Sequence, residues 1–274
     1  MGKRGWFGMA SSEAQQLFID VFGDAMQKEG YIVKGNKFFK IDLQHKWIKV
    51  VFMGFWAQNR LYRICLDVIP FTSVFDLKII KEHVFFEINS LVRDFTKPSI
   101  PAIISFDAFY PTRENISKTF ELYKTYIHSD LNSAATFDEC IQYRSRLKKL
   151  AHLPEFEGLD MMYAYLYLDR IQDAYEQACL YKDSLCMQEK SMQETHAKEL
   201  NAISSIPVRE EIARQYEMQR RYLNEQMNRI DAILSSFQNH QLAPLIHEVG
   251  QRMDASINAC RRFFTKAEQG LLGL

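Results

Sequence analysis

The chain has no excess of either charge. Across 274 residues, 34 Lys and Arg face 34 Asp and Glu. Proteins that bind nucleic acid usually carry a basic surplus, so that class starts at a disadvantage. Cysteine is scarce: Cys65, Cys140, Cys179, Cys186 and Cys260 are odd in number and form no C-x-x-C pair. That pattern argues against a disulfide framework and for thiols in a reducing compartment. The 11 glycines are dispersed, with no P-loop, no G-x-G-x-x-G and no G-x-S-x-G elbow. The 7 histidines have no metal-ligand spacing. No apolar run approaches the length that spans a bilayer, and Met1–Met9 leads into no signal-peptide core. The expectation is a cytoplasmic protein away from the membrane, with no catalytic, cofactor-binding or metal-binding residue to nominate.

What the chain does have is apolar mass. It is 47% hydrophobic, with 20 Phe and 13 Tyr, enough to bury a sizeable core. The first helix is predicted from a capping box at Ser12 and Gln15. It carries Leu17, Phe18, Val21, Phe22 and Met26 on one face and closes at Gly30. Gly35-Asn36 between Tyr31–Lys34 and Lys37–Ile41 is a hairpin signal, because glycine supplies positive φ at the first turn position. Trp47–Trp56 is apolar on both faces, as a strand covered on two sides would be. In Leu61–Pro70, Tyr62, Ile64, Leu66 and Val68 line one face and Arg63, Cys65 and Asp67 the other, and Pro70 ends the pairing.

These motifs carry a resemblance. A helix leading into Gly30–Lys40 (Gly-Tyr-Ile-Val-Lys-Gly-Asn-Lys-Phe-Phe-Lys) and then two apolar strands is similar to the opening of a bacterial family, number 4304 among domains of unknown function. It covers Leu17–Pro70. The resemblance implies an α+β fold and brings no catalytic residue with it.

Further on, Leu77–Phe95 has helical spacing, with a strand over His83–Ile88 as the alternative, and Ala102–Tyr110 looks like a strand. Thr112 is placed to cap a helix bearing Ile116, Phe120 and Tyr123. Thr136 and Glu139 form a second capping box. Pro154 and Gly158 mark the clearest boundary, so the expected domains are 1–154, an α+β unit with an antiparallel sheet, and 155–274, an antiparallel helical bundle of coiled-coil character.

Beyond Gly158 the apolar residues step by three and four. Ala164, Tyr167, Ile171, Ala174, Ala178, Tyr181 and Leu185 form one seam. Leu223, Met227, Ile230, Leu234 and Phe237 form a second, and Ile246, Val249, Met253, Cys260 and Phe264 a third. Helices over Leu159–Leu185, Val208–Phe237 and Leu242–Ala267 are expected, with Met187–Asn201 projecting or frayed. Gln219, Gln226 and Gln251 fall near the seams, where a polar residue can fix register. Arg220-Arg221 beside Tyr222, and Arg261-Arg262 beside Phe263-Phe264, join cations to rings, but acidic neighbours favour a solvated, salt-linked face.

The expected function is a non-enzymatic protein-interaction module of bacterial type, such as an antidote, an immunity protein or a component of a defence complex. The alternative is a nucleic-acid-binding or nucleic-acid-processing factor with a dispersed site. The expected interaction surface is Met227, Phe263, Phe264, Arg220 and Arg221, serving a protein partner or a homodimer through the C-terminal helices.

Overall fold

The computed structural model describes residues 5–56, 61–73, 86–87, 111–150, 159–203 and 205–274. The expected helix Leu77–Phe95 and strand Ala102–Tyr110 lie outside these residues, apart from Phe86–Glu87. The fold is α+β. Two compact units divide it: residues 1–155 together with 253–274, and residues 156–252. The last stretch, expected in a domain 155–274, therefore belongs with the first unit.

In that first unit, α1 (Gly5–Lys28) precedes β1 (Ile32–Lys34), β2 (Lys37–Asp42), β3 (Trp47–Trp56), β4 (Leu61–Pro70) and β5 (Phe86–Glu87). The strands pair antiparallel in the order β1-β2-β3-β4-β5. The helix begins earlier than the capping box suggested, and Ser12 lies inside it. Once a helix is nucleated each added residue gains a backbone bond, and no proline stands between Gly5 and Ser12; Gly8 weakens the helix there without ending it. At the other end, Tyr31 N–H donates to Met26 O and Gly30 N–H to Gln27 O, both at 3.0 Å, with Gly30 at φ +82°. That is a Schellman close, which only a residue tolerant of left-handed backbone permits.

Gly35 sits at φ +62° in the two-residue loop between paired Lys34 and Lys37. The loop is clasped from β3: Met53 N–H donates to Asn36 O at 3.2 Å, and Asn36 Nδ2 donates back to Met53 O. The next connection turns on Asp42, whose carboxylate accepts from His45 N–H at 2.7 Å, with Lys46 at φ +60°.

Both faces of the sheet are buried, as the two apolar faces of β3 require. One face presents Phe38, Trp47, Val51, Met53, Ile64, Leu66 and Val68 to Phe18, Phe22 and Met26 of α1. The same core takes in α2 (Arg113–Tyr126), α3 (His128–Ser133) and α4 (Phe137–Leu150) through Ile116, Tyr123, Leu131 and Leu147. Thr112 caps α2 by accepting from Asn115 N–H, and Thr136 and Glu139 exchange the bonds of a capping box. On the opposite face Phe39, Ile48 and Val50 are fully buried. There the end of α8 (Ala243–Phe263) and α9 (Lys266–Leu272) close over the sheet. Phe263 and Phe264 each meet Phe39 edge-on at 5.5 Å, and Ser256 Oγ lies 2.8 Å from Phe71 O.

The second unit contains α5 (Leu159–Tyr167), α6 (Ile171–Ala202), α7 (Ile206–Gln238) and the start of α8. The helix expected over Leu159–Leu185 is broken. Asp169 takes φ +58°, and Arg170 N–H donates to Tyr165 O at 2.9 Å, a second Schellman close. No glycine or proline announces it, and the apolar spacing runs straight across. Aspartate is among the few side chains that accept left-handed backbone. Met187–Asn201 does not fray: α6 continues through it to Ala202.

Candidate functional site

The feature that stands apart chemically is the hairpin of α6 and α7, 32 and 33 residues long, an arm of about 50 Å at 1.5 Å per residue. Pro207 lies in the first turn of α7, where its missing N–H costs nothing. The half of the arm near its base is held by apolar layers: Ala174, Ala178 and Leu185 of α6 are buried, as are Leu223, Ile230, Leu234 and Phe237 of α7. Tyr175 and Phe237 meet edge-on at 5.7 Å, Lys182 pairs with Asp231 at 2.7 Å, and Tyr181 Oη donates to Gln226 Oε1 at 3.3 Å. Gln226 thus makes the cross-seam bond expected of a register residue. Gln219 lines the outer groove instead, and Gln251 is exposed beside His247.

A charged knot ties the base of the arm. The Arg229 guanidinium donates to Tyr163 Oη at 3.2 Å and to Glu248 at 2.7 Å. Arg252 bonds Glu248 at 3.2 Å and Asp160 at 3.1 Å, and lies over the Tyr163 ring at 3.8 Å. Burial pushes the Tyr163 hydroxyl up to about 12. Burial alone would raise Glu248 as well, but the Tyr163 hydroxyl and the two guanidiniums hold it below the usual range. Each charge has an opposite neighbour, so the knot is a brace with no poised acid or base.

Towards the tip the interhelical layer turns polar. A groove of about 400 Å³ is lined by Gln188, Thr195, His196, Glu199, Gln215 and Gln219 among others. His196 and Tyr216 stack nearly parallel across it at 3.9 Å. Alongside runs a stripe of α7 with its own heptad spacing: Val208, Glu211, Gln215, Met218 and Tyr222. Val208 is 46% exposed, Met218 59% and Tyr222 64%. Gln215 also lines the groove, but no internal layer of the arm uses Val208, Met218 or Tyr222.

The expected surface residues divide between the two units. Arg220 and Arg221 are exposed on α7, and Arg220 pairs with Glu217 at 3.6 Å. Met227 is half-buried further along the same helix. Phe263 and Phe264 are not on this surface. They pack on Phe39 in the first unit with the Lys34 ammonium 4.9 and 5.3 Å above their rings, and Phe264 is buried. Their physical role is to seal the sheet. Val208 and Met218 were missed, although their spacing with Tyr222 was a second, offset periodicity that could have found them.

Elsewhere the buried polar groups serve the fold. Arg144 Nη1 donates to Asp67 and to Val68 O. Burial pushes Cys140 and Cys260 up to about 12 and raises Tyr31, Tyr123 and Tyr143, so none ionises near neutrality. An open cleft of about 420 Å³ holds Asp130, Glu139, Tyr143 and Arg146, in which Arg146 pairs with Asp130 and covers the Tyr143 ring at 5.2 Å. Among the described residues no three His, Cys, Asp or Glu side chains converge as a metal site, and no helix is long and apolar enough to cross a membrane. No family profile, no curated protein and no solved structure matches the chain.

Proposed function

We propose that this protein is a non-enzymatic protein-interaction module that engages its partner through the α6–α7 arm. The observation that carries this is the exposed stripe of Val208, Met218 and Tyr222 on a helix whose other apolar face is already satisfied by α6. Apolar and aromatic side chains standing in water on a rigid helix are the usual anchors of a helix-packing interface. The charges beside the stripe alternate in sign, and Arg214 and Arg220 pair with Glu211 and Glu217. A phosphate backbone would want an uninterrupted basic track there, so the alternation favours protein over nucleic acid.

Placing a photo-crosslinking residue at Tyr222, and separately at exposed Glu176 near the base of the arm, tests this in the native host. Protein adducts are expected from position 222, and Met218→Glu should remove them. Adducts to nucleic acid, or equal yields from both positions, would reject the proposal.

A further inference from the structure

We infer that the arm's partner is a second copy of this chain, paired antiparallel through α7 about a two-fold axis between Gln215 and Tyr216. This rests on the arm being an interaction surface and names its occupant. The warrant is the charge sequence of α7 between Glu210 and Arg221. Glu210, Glu211 and Arg214 are followed, at mirrored intervals, by Glu217, Arg220 and Arg221. Read backwards the pattern repeats with every sign inverted. A sequence with that symmetry is complementary to its own antiparallel copy, which is what a two-fold interface demands.

The pairs fall on usable faces. Glu210, Arg214, Glu217 and Arg221 are all exposed and step by four, three and four along one strip beside the apolar stripe. In the antiparallel register Glu210 faces the second copy's Arg221 and Arg214 faces its Glu217. In the stripe this axis leaves Val208 within one residue of the second copy's Tyr222, and Gln215 within one residue of its own counterpart, where two carboxamides can exchange hydrogen bonds. The Glu211–Arg214 and Glu217–Arg220 contacts within each helix, at 3.2 and 3.6 Å, are solvent-exposed and weak enough to be shared.

Register is enforced by repulsion as well as attraction. Moving the copies by about one turn one way sets Arg214 against Arg221, and the other way sets Glu210 against Glu217. Like charges at flanking positions are the standard means of rejecting wrong helix registers. The apolar stripe is short, so association should be weak and salt-sensitive.

Sedimentation equilibrium on the full chain tests this, at roughly 10–200 μM in low salt, the range of a weak interface. The parent should approach a dimer mass and fall towards monomer in high salt. Arg221→Glu alone and Glu210→Arg alone should each weaken pairing at least about tenfold, because the symmetry doubles every reversal. Mixing the two variants in equal amounts should restore the dimer, since each then supplies what the other lacks. Circular dichroism must show both variants as helical as the parent; should either unfold, Arg214→Glu with Glu217→Arg provides the same cross. A monomeric parent, a dimer that survives both reversals, or a mixture that stays monomeric overturns the inference. A monomeric parent that still yields adducts to another protein from position 222 overturns self-pairing and leaves the interaction arm standing. A monomeric parent without adducts removes both.

Discussion

The Lys49 ammonium, near the start of β3, donates to the backbone carbonyl of Leu131 in the last turn of α3. It also reaches Ala134 O, and it lies 4.4 Å from the Trp47 ring centre. Trp47 Nε1 donates to Ala135 O at 2.8 Å. Two side chains from one strand face thus hold the whole α3–α4 connection. Carbonyls at a helix end gather negative potential, which explains a cation there.

Burial nevertheless pulls Lys49 down to about 8. An unfolded lysine releases its proton near ~10.4. Between those values the unfolded chain binds more protons, so this group makes stability rise with pH and lowers it as pH falls through about 8. The stability of the parent minus that of Lys49→Met should increase by about 1–3 kcal/mol from roughly pH 7.5 to roughly pH 10.5. Urea titrations at several pH values measure it. A flat difference would mean that Lys49 titrates as it does in water.

Asp67 is fully buried against Arg144. Removing one member of such a pair strands the other charge, so Asp67→Leu or Arg144→Met alone should cost about 3–5 kcal/mol. The double variant should cost clearly less than the sum. Additive losses in a double-mutant cycle would show that the two groups are not coupled.

Gly35→Val should lower stability by about 1–3 kcal/mol, because a β-branched residue resists the positive φ of that turn. Cys140→Ser serves as the buried comparison. Thermal melting that leaves Gly35→Val level with the parent would refute the backbone requirement.

His240 ends α7 in left-handed backbone at φ +54°, with its N–H donating to Phe237 O and that of Gln241 to Ser236 O. The side chain is exposed. His240→Gly should therefore stabilise the protein by about 1 kcal/mol through relief of the backbone penalty alone. The urea midpoint should rise with an unchanged slope, and a lower midpoint would count against it.

The devices that were legible in the sequence are short in range. Gly30, Gly35-Asn36, the Thr112 cap and the Thr136–Glu139 box each act over a few residues, and period-two alternation in Leu61–Pro70 already assigns its two faces. Their energetics are settled between near neighbours, so one chain suffices to see them. Three outcomes were decided only in three dimensions. The break at Asp169 uses a residue that merely tolerates left-handed backbone, and nothing local demands it. The third apolar seam looked like bundle core, yet Phe264, Cys260 and Ser256 belong to the unit of the sheet. An apolar face records that it must be covered and not by what, since hydrophobic burial has no direction. Phe39 and Phe264, more than two hundred residues apart in the chain, find each other because the far face of the sheet would otherwise stay wet. For the same reason the sequence held the charges of α7 in plain order, while only the packing of α6 showed which strip of that helix remains free to use them.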